Sequence, residues 1–92
     1  MNTVISGEQA KILMNNGAQL VDVRSAAEFK QDAKTGALNI PMPQLHQGIK
    51  KLDTNKPLIV YCRTGGRSAQ AQKLLQKLGF QHVHNAGSLN NF

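Results

Sequence analysis

The stretch Leu58–Ser68, LIVYCRTGGRS, joins an apolar run to a glycine-rich segment with two arginines. The run follows Pro57 without polar alternation, which is typical of a strand buried on both faces of a parallel sheet. Apolar side chains then recur at helical spacing, so a helix is predicted over 67–78. The only cysteine of the chain, Cys62, therefore lies where a buried strand ends and a helix is about to begin.

Strands and helices alternate along the rest of the chain. Two capping boxes, Ser6–Gln9 and Ser25–Glu28, each predict the start of a helix. A further helix is predicted over 44–52, and strands are predicted over 19–23, 37–40, 57–61 and 80–85, with Gly87 turning after the last. This alternation predicts an α/β fold with a small, mostly parallel sheet flanked by helices on both faces. Ligands of such sheets bind beyond the carboxyl ends of the strands.

Length, charge and cysteine content limit the possible functions. Ninety-two residues predict a single domain over 1–92. One cysteine supplies neither an internal disulfide nor a thiolate zinc site. The formal net charge of +6 favours anionic partners. Because the lysines are scattered and the few aromatic residues are not interleaved with them, we expect a small anion as partner and no nucleic acid.

The sequence also carries expectations about location, assembly and bound groups. It contains no apolar run of the ~20 residues that a membrane span needs, and its first residues lack a signal-peptide pattern. We expect a cytoplasmic monomer that does not bind membranes, or a periplasmic one if a signal peptide has been removed. No cofactor and no metal are expected, because His82 and His84 have no cysteine or carboxylate beside them.

The segment after Cys62 has the features of an anion cradle. The paired glycines allow a tight curl, whose backbone N–H groups and helix start favour negative charge, and Arg63 and Arg67 add two cations. A lone cysteine is more often an inert core residue, but seven consecutive residues combine all of these features. We predict an ionised, nucleophilic Cys62 in a loop of six further residues, Arg63, Thr64, Gly65, Gly66, Arg67 and Ser68.

Four segments of the chain resemble the rhodanese family of single-domain sulfurtransferases, and in particular small bacterial members of the phage-shock protein E type. They are LVDVRSAAEF (20–29), GALNIP (36–41), VYCRTGGRS (60–68) and GFQHVHNAGSL (79–89). The resemblance implies the rhodanese-like fold, with its active-site loop at a strand carboxyl end. Related phosphatases have five residues between cysteine and arginine, whereas this chain has four between Cys62 and Arg67, which favours sulfur over phosphate.

The resemblance also implies a reaction and roles for its residues. Cys62 would take a sulfur atom from thiosulfate or a polysulfide, form a persulfide, and pass the sulfur to cyanide or a thiol. Arg63 would receive the donor's oxygens, Arg67 would fix the loop, and Ser68 would cap the helix or bond to the persulfide. Asp22 and Arg24 would be supporting ties near the loop.

Two acidic residues receive no part in this chemistry. Helix capping suffices to explain Glu28, and a solvated helix edge explains the i, i+4 pair that it forms with Asp32. Two other functions stay open: a persulfide carrier or partner-binding module with little free turnover, and, less favoured, a phosphatase or arsenate-handling enzyme. The stretch 31–37 departs from the family pattern by lacking a histidine, which leaves the preferred acceptor undefined.

Overall fold

The computed structural model describes residues 4–92, which form a parallel sheet covered by helices. Its strands are β1 (Gln19–Asp22), β2 (Leu38–Asn39), β3 (Leu58–Cys62) and β4 (Val83–Ser88), in the order β2-β1-β3-β4. Its α-helices are α1 (Gly7–Asn15), α2 (Ala26–Gln31), α3 (Leu45–Gly48) and α4 (Gly66–Lys77). Every strand pair in this sheet is parallel, so the predicted fold class is confirmed.

The central strands bury both of their faces, as the unbroken apolar run predicted. All five residues of β3 are buried, and their side chains alternate between two cores. On one side, Val60 packs in a cluster with side chains of α3 and α4, such as Leu45 and Leu75. On the other, Ile59 packs in a cluster with residues of α1, such as Ala10. Helices therefore cover both faces of the sheet.

Both predicted capping boxes are confirmed. The Ser6 hydroxyl accepts the backbone N–H of Gln9 at 3.1 Å, and the Gln9 side chain accepts the Ser6 N–H at 2.9 Å. Ser25 and Glu28 repeat this exchange at the start of α2, at 3.2 and 3.1 Å. Each box satisfies N–H groups that have no partner within the helix, which fixes where the helix begins.

Two predicted elements differ from the structure. The helix predicted over 44–52 is only one α-helical turn, Leu45–Gly48, between two short 3-10 turns, Met42–Gln44 and Ile49–Lys51. The last strand runs over Val83–Ser88, so Gly87 lies inside it and does not turn after it. The register shifts here: Val60 pairs with Asn85 but Tyr61 pairs with Gly87, so Ala86 is the extra residue of a bulge and Gly87, whose φ is 74°, resumes the pairing.

The strand order places a binding crevice between β1 and β3. The chain leaves β1 towards β2 on one side and leaves β3 towards β4 on the other, so the topology reverses between these two neighbours. The carboxyl end of β1 lies beside that of β3, with Asp22 opposite Tyr61 in the register. Among residues 4–92, no helix is long and apolar enough to cross a bilayer.

Candidate active site

Cys62 ends β3 at this crevice, and the loop after it curls around the sulfur. The Gly65 backbone N–H donates to Cys62 Sγ at 2.9 Å, and Sγ lies 3.4 Å from the Ser68 hydroxyl. In the thiol form the Cys62 S–H donates to that hydroxyl, which donates its own proton to the Gly65 carbonyl at 3.1 Å; when Cys62 is a thiolate, the Ser68 proton can turn to Sγ instead. Cys62 and Ser68 are both fully buried. The sulfur is thus held by a shell of donors within its own loop.

This shell changes the acidity of the thiol. Burial alone raises the pKa of Cys62, but hydrogen bonds from the Ser68 hydroxyl and from the backbone N–H groups of Ser68, Gly65 and Thr64 together outweigh it. The pKa of Cys62 therefore lies below the ordinary value of a cysteine. A thiolate is the reactive form of cysteine, so the arrangement favours a nucleophile.

One of the paired glycines bends the loop. Gly65 caps α4 with φ 102°, in the left-handed region that favours glycine. Gly66 is already the first residue of α4 and has no positive φ. The expectation that both glycines supply conformational freedom is therefore corrected to Gly65 alone.

The two loop arginines share one carboxylate. Arg67 pairs with Glu28 through both terminal guanidinium nitrogens, at 2.7 and 3.0 Å, and Arg63 Nε donates to Glu28 Oε2 at 3.2 Å. These bonds join residues 35 and 39 positions apart. Arg67, the Ser25 N–H and Arg63 hold the pKa of Glu28 well below its usual range.

Glu28 is therefore the residue that the sequence left out of the site. The interpretation of Glu28 as a capping residue alone was incomplete, because its carboxylate both closes the capping box and binds the two arginines. No local pattern marks such a contact, since its partners lie on another element. An acidic residue in a short helix after β1, facing a doubly cationic loop after β3, is the signal that could have found it.

Asp22 and Arg24 form a buried tie at the end of β1. The Arg24 guanidinium binds the Asp22 carboxylate, with Nη2 2.7 Å from Oδ2, and both side chains are fully buried. Arg24 also pairs with Asp32 Oδ1 at 3.1 Å and donates to the Asp32 carbonyl. The solvated-edge interpretation of Asp32 was therefore incomplete: its side chain keeps 56% of its surface exposed but also pairs with the buried Arg24.

Beyond the loop, a groove with a volume of about 550 Å³ borders Arg67. Its walls include Val23 after β1, the apolar segment Pro41–Pro43, and Gln70 on α4. It gives a small molecule an approach to the outer side of the loop. Concave surfaces that are mostly apolar with a few polar groups are typical of ligand sites.

His82 and His84 do not form part of the site. His82 precedes β4 and is exposed, and His84 lies half-buried within β4. Burial, and then the neighbouring His82, lower the pKa of His84. Within residues 4–92, no group of three or more His, Cys, Asp or Glu side chains is placed to hold a metal ion.

Comparison with known proteins connects this geometry to one family. The family model of the rhodanese-like domain, a sequence model, matches residues 6–92. The thiosulfate sulfurtransferase PspE of Escherichia coli is 37% identical over 73 residues, which cover 77% of this chain and 70% of PspE. The thiosulfate sulfurtransferase GlpE of Ectopseudomonas mendocina is 36% identical over 80 residues, covering 87% of this chain and 73% of GlpE.

A solved structure agrees over nearly the whole chain. The human single-domain sulfurtransferase TSTD1 superposes with a TM-score of 0.86 at 29% identity, covering 96% of this chain and 92% of that one. A match of this extent includes the sheet, the covering helices and the strand that carries Cys62.

Proposed function

The chain belongs to the rhodanese-like domain family, and from that premise we propose that it transfers the outer sulfur of thiosulfate, or of a related donor, to cyanide or a thiol. Sulfurtransferase activity in general is supported by the names of its relatives, PspE and GlpE. The observation that carries the finer proposal is the ring of donors that lowers the pKa of Cys62.

The first step is attack of the Cys62 thiolate on the outer sulfur of thiosulfate. The new bond joins Sγ to that sulfur, the sulfur–sulfur bond of thiosulfate breaks, and its electron pair leaves with sulfite. The product is a Cys62 persulfide that carries one negative charge. No proton moves in this step, which agrees with a sulfur held by hydrogen-bond donors and without a histidine partner.

In the second step an acceptor removes the outer sulfur. Cyanide attacks it, thiocyanate leaves, and the electron pair of the broken bond returns to Cys62 as thiolate. The same N–H groups that face Sγ then stabilise the thiolate as the leaving group. The Ser68 hydroxyl, 3.4 Å from Sγ, adds a donor whose proton can turn from the Gly65 carbonyl towards sulfur.

The two loop arginines are assigned different roles. Arg67 is held by two hydrogen bonds to Glu28, so we assign it the role of fixing the loop. Arg63 has a single hydrogen bond to Glu28, so we assign it the binding of the donor's sulfonate oxygens. We assign Asp22 and Arg24, which pair with each other at the end of β1, a supporting role beside the loop.

The proposed unit is one rhodanese-like domain over residues 1–92 that needs no cofactor. Its proposed partners are a small anionic sulfur donor and a thiol or cyanide, which fit the net charge of +6 and the cationic loop.

Intact mass spectrometry tests the persulfide. After treatment with thiosulfate and removal of excess donor, the protein should gain the mass of one sulfur, and cyanide should remove it and release thiocyanate. Cys62→Ser is the matched control and should gain nothing, because its hydroxyl replaces the nucleophilic thiolate. A protein that stays unmodified with thiosulfate and with polysulfide would overturn the proposal.

The same experiment separates a carrier from an enzyme. A stable sulfur on Cys62 that cyanide and small thiols remove only slowly would assign the protein to persulfide storage or delivery to a protein partner. Multiple turnovers of thiosulfate and cyanide would assign it to catalysis with small molecules.

A further inference from the structure

Glu28 is placed between the two cations that a donor anion would seek. It lies in α2, which follows β1, whereas Arg63 and Arg67 follow β3, so its bonds join the two sides of the crevice. A donor approaching the loop therefore meets guanidinium groups that already have an anionic partner.

The two arginines are not held equally. Arg67 makes two parallel bonds to the carboxylate, a geometry that fixes orientation as well as distance. Arg63 makes one bond, at 3.2 Å, through Nε, which leaves its terminal nitrogens with no hydrogen bond to Glu28. An anion that binds Arg63 therefore has to break or bend only one contact.

Resting on the proposed sulfur transfer, we propose that Glu28 is a positioning residue that keeps Arg67 fixed and yields Arg63 to the donor, and so sets the preference of the site for anionic donors. In the donor-free protein its charge offsets one of the two cations. When a doubly charged donor such as thiosulfate binds, Arg63 exchanges the carboxylate for the sulfonate oxygens, while Arg67 stays in place.

The structure provides a conservative substitution with which to test this role. Gln9 closes the capping box of α1 with its side-chain oxygen, as Glu28 does in α2. Glu28→Gln therefore keeps the cap of α2 through its side-chain oxygen, and replaces the charged acceptor of Arg63 and Arg67 by an uncharged amide NH2. Ser25→Ala is the control for loss of the cap, because it removes the capping hydroxyl of the same helix, which also donates to Glu28 Oε1, but keeps the Glu28 charge beside the arginines.

The first readout is steady-state transfer from thiosulfate to cyanide. Glu28→Gln should lower the KM for thiosulfate about two- to fivefold, the range expected when an exposed ion pair no longer competes. Its kcat should fall, because Glu28 no longer keeps Arg67 fixed in the loop, whereas Ser25→Ala should change neither constant. In an Arg63→Ala background the effect of Glu28→Gln on KM should disappear, because the competing pair is already absent.

The second readout does not require sulfur transfer. Iodoacetate and iodoacetamide alkylate the same thiolate, but only iodoacetate is an anion, so the ratio of their rates at Cys62 reports the positive charge around it. The charged groups of this crevice include Arg67 with Glu28 and Arg24, and Arg63, which also binds Glu28. Glu28→Gln should raise the ratio about two- to fivefold, and Ser25→Ala should leave it unchanged.

The outcomes separate this inference from the proposed function. If the wild type gains no sulfur, sulfur transfer is contradicted. If Glu28→Gln nevertheless raises the ratio of the iodoacetate rate to the iodoacetamide rate, the charge-offsetting role of Glu28 is still supported. A ratio unchanged by Glu28→Gln, or changed equally by Ser25→Ala, overturns the inference. If Glu28→Gln does not fold, Glu28→Asp, which retracts the carboxylate by one methylene, should raise the ratio in the same direction.

Discussion

Gly65 and Gly66 are neighbours in the cradle loop with different backbone conformations. Gly65 has φ 102°, and a Cβ there would contact the Gly87 Cα at 3.6 Å, so the limit on a side chain at Gly65 is conformational and not steric. Gly66 has no positive φ, and a Cβ on it would meet no atom within 4 Å. The residue that donates to Cys62 Sγ is thus also the one whose backbone conformation requires glycine.

Alanine at each glycine should therefore have a different effect. Gly65→Ala should lower the free energy of unfolding by about 1–2 kcal/mol, the cost of a left-handed conformation for a residue with a side chain. Gly66→Ala should change it by no more than about 0.5 kcal/mol, as is usual for an exposed position. Urea denaturation followed by circular dichroism measures both, and equal losses would contradict the assignment of the bend to Gly65.

The loop also illustrates what a sequence reveals at the scale of single residues. The cradle could be predicted because its parts are consecutive: a strand end, a glycine and a helix start determine where the N–H groups point. The Glu28 contact could not, because its partners follow 35 and 39 residues later and approach only when β1 and β3 pair.

At the scale of elements, Arg24 fastens the segment after β1. Its guanidinium binds Asp22 in β1 and Asp32 just beyond α2, and it lies 5.7 Å from the centre of the Tyr61 ring in β3. Burial raises the pKa of Tyr61 to about 12. The hydrogen bonds that Arg24 donates to Asp22 raise the pKa of Arg24 above its ordinary value, so the guanidinium stays charged.

Removal of the Arg24 charge should lower the free energy of unfolding far more than removal of the charge of its exposed partner, Asp32. Arg24→Ala leaves the buried Asp22 carboxylate without its cation and should lower the free energy of unfolding by about 3–5 kcal/mol. Asp32→Asn keeps the Asp22–Arg24 pair and changes a half-exposed side chain, so a loss of no more than about 1 kcal/mol is expected. Urea titrations of both variants make the comparison, and similar losses would argue against the buried pair as the main tie.

The elements differ in how well the sequence predicts them. Capping boxes and unbroken apolar runs are local signals, so α1, α2 and β3 agree with expectation. The segment 42–51 breaks into 3-10 turns around a single α-helical turn, and its start is tied by the Met42 N–H to the Val23 carbonyl just after β1, a contact that the spacing within the segment does not encode. The bulge at Ala86, just before Gly87, depends on pairing with β3, which no local pattern encodes.

At the scale of the whole molecule, one side chain connects the two ends of the described chain. The Asn91 amide donates to the Ile5 carbonyl and to the Ala86 carbonyl, at 2.9 Å each. Ile5 in turn donates its N–H to the Asn85 carbonyl in β4. The segment before α1 is thereby held along the edge of the sheet, beside β4.

Asn91→Ala should loosen this closure. Loss of two hydrogen bonds should lower the free energy of unfolding by about 1–3 kcal/mol and speed proteolysis near Ile5. Asn90→Ala, a neighbouring exposed position, is the control and should behave like the wild type. Amide hydrogen exchange of Ile5 measures the closure directly, and protection that persists in Asn91→Ala would contradict it.

The position of this segment has a consequence for solubility. A parallel sheet of four strands has two open margins where another chain could add a strand and begin an aggregate. Here one margin is β2, only two residues long and soon followed by Pro41. The other is β4, where Val4 forms a parallel bridge with Asn85 and the Ile5 N–H donates to the Asn85 carbonyl. The fold thus leaves little edge for amyloid-like growth, and the closure by Asn91 protects against aggregation as well as unfolding.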